Sequence, residues 1–135
     1  MSREIKFRAW HKVDGKMYKV YGFSQGKWFL RGKTFPMPSG AVEVMQYTGL
    51  KDRNGVEIYE GDIVSFDLYG SGEIERGTII FSKASFVAKT GYSPALDGTH
   101  HGHPLTYQLG SLIRNDKAVE VIGNIYENPE LIERD

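Results

Sequence analysis

Apolar and polar residues alternate with a period of two along most of this chain, the spacing that lays one side of an extended strand against a core. Ile5, Phe7 and Ala9 alternate with Lys6, Arg8 and Trp10, and Val13-Asp14-Gly15-Lys16 leads into the aromatic run Met17-Tyr18-Lys19-Val20-Tyr21-Gly22-Phe23. An Asp-Gly pair between two such runs predicts a β-hairpin. Ser24-Gln25-Gly26-Lys27 predicts a second turn before Trp28-Phe29-Leu30. Residues 31–40 collect Gly32, Pro36, Pro38 and Gly40, which interrupt regular structure and mark the expected boundary between two lobes. Val42 and Val44 open another extended stretch, Asp52-Arg53-Asn54-Gly55 predicts a turn, and Gly61-Asp62 leads into Ile63-Val64-Ser65-Phe66. Residues 62–68, 73–82, 85–89 and 118–123 then read as short strands, and 105–113 as a strand or a single helical turn. Asn128-Pro129-Glu130 offers an N-cap residue, a proline at the first helical position and an acid in the first turn, so a short C-terminal helix is expected.

These elements predict a mainly β protein. A basic, aromatic antiparallel hairpin or sheet lobe spans residues 1–40, and an acidic small β-barrel lobe spans 41–135, the two within one compact unit. Five short strands in succession suit a small barrel. The entry Gly61-Asp62-Ile63-Val64, followed by Gly77-Thr78-Ile79-Ile80-Phe81 and Phe86-Val87-Ala88, is similar to Src-homology-3-like barrels. With 135 residues, 40% of them hydrophobic, the chain is long enough to bury roughly two-thirds of its unfolded surface.

A formal net charge of zero hides a split. Residues 1–40 hold nine Lys and Arg against two acids, +7, so residues 41–135 carry −7. Such a division points to a charged partner, or to attraction between lobes or subunits. Lys6, Arg8, Lys12, Lys16, Lys19 and Lys27 are interleaved with Trp10, Tyr18, Tyr21 and Trp28. Single-stranded nucleic acid is held by this mixture, cations following phosphates and rings stacking on bases. The candidate binding residues are therefore Lys6, Arg8, Trp10, Lys12, Lys16, Tyr18, Lys19, Lys27 and Trp28. An acidic protein is the other partner this surface suits. The competing reading places the rings in a core and leaves only a solvated basic face. Eight aromatics within residues 1–35 exceed what a hairpin unit buries alone, which predicts a homo-oligomer.

Catalytic signals are sparse. The absence of cysteine excludes disulfides and thiolate metal sites. His100, His101 and His103, near Asp97, are the one imidazole cluster, but adjacent histidines point apart in extended chain. A solvated loop is expected there, and a metal-dependent enzyme built on residues 100–103 is the weakest of the functional readings. Carboxylates at Glu57, Glu60, Asp62, Glu73 and Glu75 have no nucleophile or phosphate loop beside them, so Asp62 reads as a turn cap and the others as outward-facing acids. The expectation is a binding or assembly protein rather than an enzyme, with no catalytic residues, metal or cofactor. The charged opening and the lack of about 18 consecutive apolar residues predict a cytoplasmic protein that meets no membrane.

Three blocks carry a family resemblance: Phe7-Arg8-Ala9-Trp10; Gln46-Tyr47-Thr48-Gly49-Leu50 with Asp52 and Gly55 to Asp62; and Ile122-Gly123-Asn124-Ile125-Tyr126-Glu127-Asn128-Pro129. In this order they closely resemble the YopX family of bacteriophages and prophages. The resemblance implies a phage or prophage accessory role and a shared fold. No biochemical activity is established for that family, so no site residue is carried over, and its glycines and aromatics read as fold determinants. His11 stands where relatives more often carry aspartate.

Overall fold

The computed structural model describes residues 4–90 and 105–132; the His100, His101 and His103 cluster lies outside them. Eleven strands form in chain order: β1 (Phe7–His11), β2 (Lys16–Ser24), β3 (Lys27–Leu30), β4 (Met37–Pro38), β5 (Val42–Lys51), β6 (Glu57–Tyr59), β7 (Asp62–Phe66), β8 (Glu75–Ser82), β9 (Ser85–Thr90), β10 (Thr106–Gln108) and β11 (Glu120–Asn124). Among the described residues one α-helix, α1 (Leu109–Arg114), follows β10 directly. Its Leu109, Leu112 and Ile113 fall at helical rather than alternating spacing, so the 105–113 segment is strand first and helix second. The chain forms two compact units, Met1–Gly49 and Leu50–Asp135.

In the first unit the antiparallel strand order is β4-β3-β2-β1-β5. Ala9 pairs with Tyr18 on β2 and with Val44 on β5, so these three share one face of the sheet. Ala9, Leu30 and Val42 are buried at the centre of that face, with Tyr18, Val20, Trp28 and Met37 packed around them. β2 carries an irregularity: Val20 is opposite Leu30, yet Gly22 is opposite Phe29. The extra residue, Tyr21, is a β-bulge that turns the strand. Beyond it Phe23 faces the same side as Trp28, their ring centroids 4.3 Å apart, while Tyr21 lies against Phe29 on the other side at 5.9 Å. The β2–β3 turn has positive φ at both Gln25 and Gly26, the backbone demanded when a two-residue loop must match strand twist.

The second unit is a five-stranded antiparallel sheet in the order β10-β9-β8-β7-β11, with α1 beside it. Ile58, Val64, Phe66, Ile79, Ala88, Leu109, Leu112 and Val119 form its core. Phe66 is fully buried and meets Tyr107 edge-on at 5.5 Å. Among the described residues no pairing joins β10 to β11, so the sheet is open at those two strands. The terminal helical element is one 3-10 turn, Pro129–Leu131. Asn128 precedes it but does not cap it with its side chain, which is turned back toward β11.

Candidate functional site

Polar residues of the second and third sequence blocks hold turns. Asp52 is buried and its carboxylate accepts three backbone amides: Oδ1 takes Asn54 and Val56 at 2.8 and 2.9 Å, and Oδ2 takes Val121 at 2.9 Å. One side chain thus closes the 52–56 turn, where Gly55 has φ +82°, and ties it to β11. Asp62 caps the turn before β7, its Oδ2 accepting the Tyr59 amide at 2.8 Å. Asn124 accepts the amides of Tyr126 and Glu127 at 3.0 and 2.8 Å, and Asn128 Oδ1 accepts that of Asn124 at 3.2 Å. Gly123 lies against this clamp so tightly that a Cβ there would come within 2.6 Å of Asn128 Oδ1. These carboxylates and amides are consumed in holding backbone, which leaves them little capacity for chemistry on a substrate.

The cations of the first unit have different fates. Lys6 pairs with Glu4 at 2.9 Å and lies over the Tyr47 ring at 4.9 Å. Lys12 bridges to Glu43 at 3.3 Å and donates to the Gly40 carbonyl at 3.2 Å. Lys33 pairs with Asp14, which also accepts the Tyr18 hydroxyl at 2.6 Å. The Lys33 hydrogen bond, followed by that from Tyr18, lowers the Asp14 carboxyl to about 2, and the hydrogen bond to Asp14 raises the Tyr18 phenol. His11 closes the same turn. Its Nδ1 accepts the Asp14 amide at 3.0 Å and its Nε2 meets Met37 Sδ at 3.1 Å, an arrangement that suits the tautomer protonated on Nε2.

Lys16, Lys19, Lys27 and Arg31 remain exposed, with no ion pair among the described residues. Three of them share a face. Register places Lys19 opposite Arg8, and Arg31, one residue past β3, donates its amide to the Lys19 carbonyl at 2.8 Å. Arg8, Lys19 and Arg31 therefore form a row across three adjacent strands. Along β3, alternation puts Lys27, Phe29 and Arg31 on this face, about 7 Å between successive members. Tyr21, 60% exposed, stands against Phe29 between the cations.

The nine candidate residues are thus divided. Arg8, Lys19 and Lys27 lie on the face away from the Ala9, Leu30 and Val42 core, together with Trp10 and Lys6. Tyr18 and Trp28 pack against that core, Lys16 lies at the start of β2, and Lys12 is in the β1–β2 turn. Phe29 and Arg31 join the basic face although neither stood among the nine. The period-two run Lys27-Trp28-Phe29-Leu30-Arg31 carried that signal, since cation, ring and cation occupy alternate positions.

Among the described residues no group of three or more His, Cys, Asp or Glu side chains is placed to hold a metal ion. Nor is any helix there long and apolar enough to cross a membrane.

No curated protein matches the chain. Crystal structures of similar proteins share its fold. Protein EF1440 from Enterococcus faecalis superposes with a TM-score of 0.61 at 26% identity, over 98% of this chain and 100% of that one. Protein yopX from Bacillus subtilis superposes with a TM-score of 0.57 at 21% identity, over 96% of this chain and 97% of that one. The family model described as YopX protein matches residues 6–133, which include all three sequence blocks and both units, and the chain belongs to the YopX family.

Proposed function

We propose that this protein is a phage or prophage accessory protein of the bacterial cytoplasm that acts by binding single-stranded nucleic acid through the exposed basic and aromatic face of β2 and β3. The observation that carries the reading is the Lys27, Phe29, Arg31 alternation beside Lys19 and Tyr21, all on one face. Like charges placed opposite one another on a sheet repel, and a polyanion laid across them relieves that repulsion. The rings between them offer stacking at about 1–3 kcal/mol per base, without sequence preference. The unit Met1–Gly49 carries nine Lys and Arg against three Asp and Glu, a net +6, which supplies the long-range attraction.

Reversing Lys19 and Arg31 together to Glu tests the reading. Both side chains are exposed, so the fold survives, and binding of a labelled oligothymidine at about 50 mM salt should fall below detection. Retained affinity would remove the basic face from the account.

A second reading is homo-oligomeric assembly. It is favoured by the unit Leu50–Asp135, whose net charge of −6 opposes the +6 of the first, and by exposed Tyr69 and Ile74 flanking Glu73 on it. Sedimentation at low and high salt decides it: association that weakens as salt rises supports assembly, and a monomer at tens of micromolar rejects it.

A further inference from the structure

An aromatic cleft opens in the first unit where β2 bulges. It has a volume of about 340 Å³ and is lined by Ile5, Lys6, Phe7, Tyr21, Phe23 and Trp28, with Val20 and Gly22 between them. The size falls within the range of small-ligand sites. Trp28 lines it, with Phe23 at 4.3 Å and Phe7 at 6.0 Å between ring centroids, the planes tilted by 42° and 59°. Ile5 is 64% exposed and Phe23 49%, so the apolar walls face solvent. Water-exposed aromatic surface of this kind marks a binding site more often than a packing fault.

Resting on the reading of the basic face as a nucleic-acid surface, we propose that this cleft is a nucleobase pocket, which takes one unstacked base from the bound single strand. Two features choose that occupant. The cleft and the basic face share Tyr21, which lines the one and lies against Phe29 of the other. The cleft lies in a unit of net charge +6, which suits a ligand that is flat and apolar in one part and anionic in the next. A base in a paired duplex is stacked on both sides and cannot enter, so the pocket separates single from double strands. The bulge gives the geometry its logic. Were Tyr21 paired in regular alternation instead of bulged out, Phe23 would turn to the opposite face, and the Phe23–Trp28 wall would not form.

The test compares a short oligothymidine, a strand of equal length made of abasic sugar-phosphate, and a blunt duplex, each titrated against the wild type and Phe23→Ala. Phe23 is half exposed and outside the buried core, so its truncation leaves the fold intact, and Phe23→Tyr restores the ring. The expected result is about a tenfold loss for oligothymidine with Phe23→Ala, recovery with Phe23→Tyr, and no change for the abasic strand or the duplex. An equal loss for all three ligands, or no loss for oligothymidine while the Lys19 and Arg31 reversal still abolishes binding, would overturn the pocket and leave the basic face standing. Absence of binding to any strand by the wild type would overturn both. Self-association of the wild type that Phe23→Ala abolishes would assign the cleft to a second copy of the chain and also overturn the proposal.

Discussion

Asp52 shows how much backbone one side chain organises here. Its two oxygens take three amides, two in its own turn and one from β11, sixty-nine positions away in sequence. Removing it takes a partner from three part-buried amides, and a buried donor left unmet costs about 1–3 kcal/mol. Asp52→Ala should therefore lower unfolding free energy by roughly 2–4 kcal/mol, while Asp52→Asn, which keeps one carbonyl oxygen, loses less. Denaturant titration of both variants checks the order. Equal stability of wild type and Asp52→Ala would show that water replaces the carboxylate at no cost. Gly123 is constrained for a different reason. It needs no unusual φ, but the 2.6 Å approach of Asn128 Oδ1 leaves no room for a methyl group.

Elements in this protein follow from alternation, and their facing follows from details that alternation hides. The strands at 7–11, 16–24 and 62–66 lie where period-two runs placed them, and the turns at 24–27 and 52–55 contain the expected residues. The cap by Asp62 was likewise legible, because an acid directly after glycine at a strand entry has nearby amides to accept. The bulge at Tyr21 was not. A single extra residue in β2 sends Phe23 and Trp28 to one side and Tyr21 and Phe29 to the other, and nothing in Val20-Tyr21-Gly22-Phe23 announces it beyond a glycine. The β4 pairing within the Gly- and Pro-rich segment was hidden for the complementary reason, since Met37–Pro38 is two residues long. One hairpin departs from its preferred chemistry. The β8–β9 turn holds Lys83 and Ala84 at φ +51° and +66°, a backbone region costly to residues with a Cβ. Ala84→Gly should raise stability by about 0.5–1 kcal/mol, the relief of strain partly offset by a more flexible unfolded chain. A lower melting temperature in that variant would mean that the Ala84 methyl packs usefully where it stands.

At the scale of the whole molecule, the sequence blocks that identify the family and the surface that would bind a partner are largely different residues, meeting in the first block, where Arg8 lies on the basic face and Phe7 lines the cleft. The blocks around Asp52, Asp62, Asn124 and Asn128 hold turns in the second unit together. The exposed cations Lys19, Lys27 and Arg31 lie on the first unit, outside those blocks. Family membership consequently fixes the fold and leaves the binding surface to be read from charge and geometry. Composition revealed the basic half, yet only register shows which cations stand together: Lys6, Lys12 and Lys33 are engaged with acids, whereas Lys19, Lys27 and Arg31 line one face.

The central claim, that this face binds single-stranded nucleic acid, is tested most directly by the salt dependence of oligothymidine affinity, followed by fluorescence anisotropy. Contact through Lys19, Lys27 and Arg31, about three phosphates in all, predicts that the logarithm of the association constant falls linearly with the logarithm of salt concentration, with a slope of about −2. An affinity indifferent to salt, or no binding at about 50 mM salt, would contradict it.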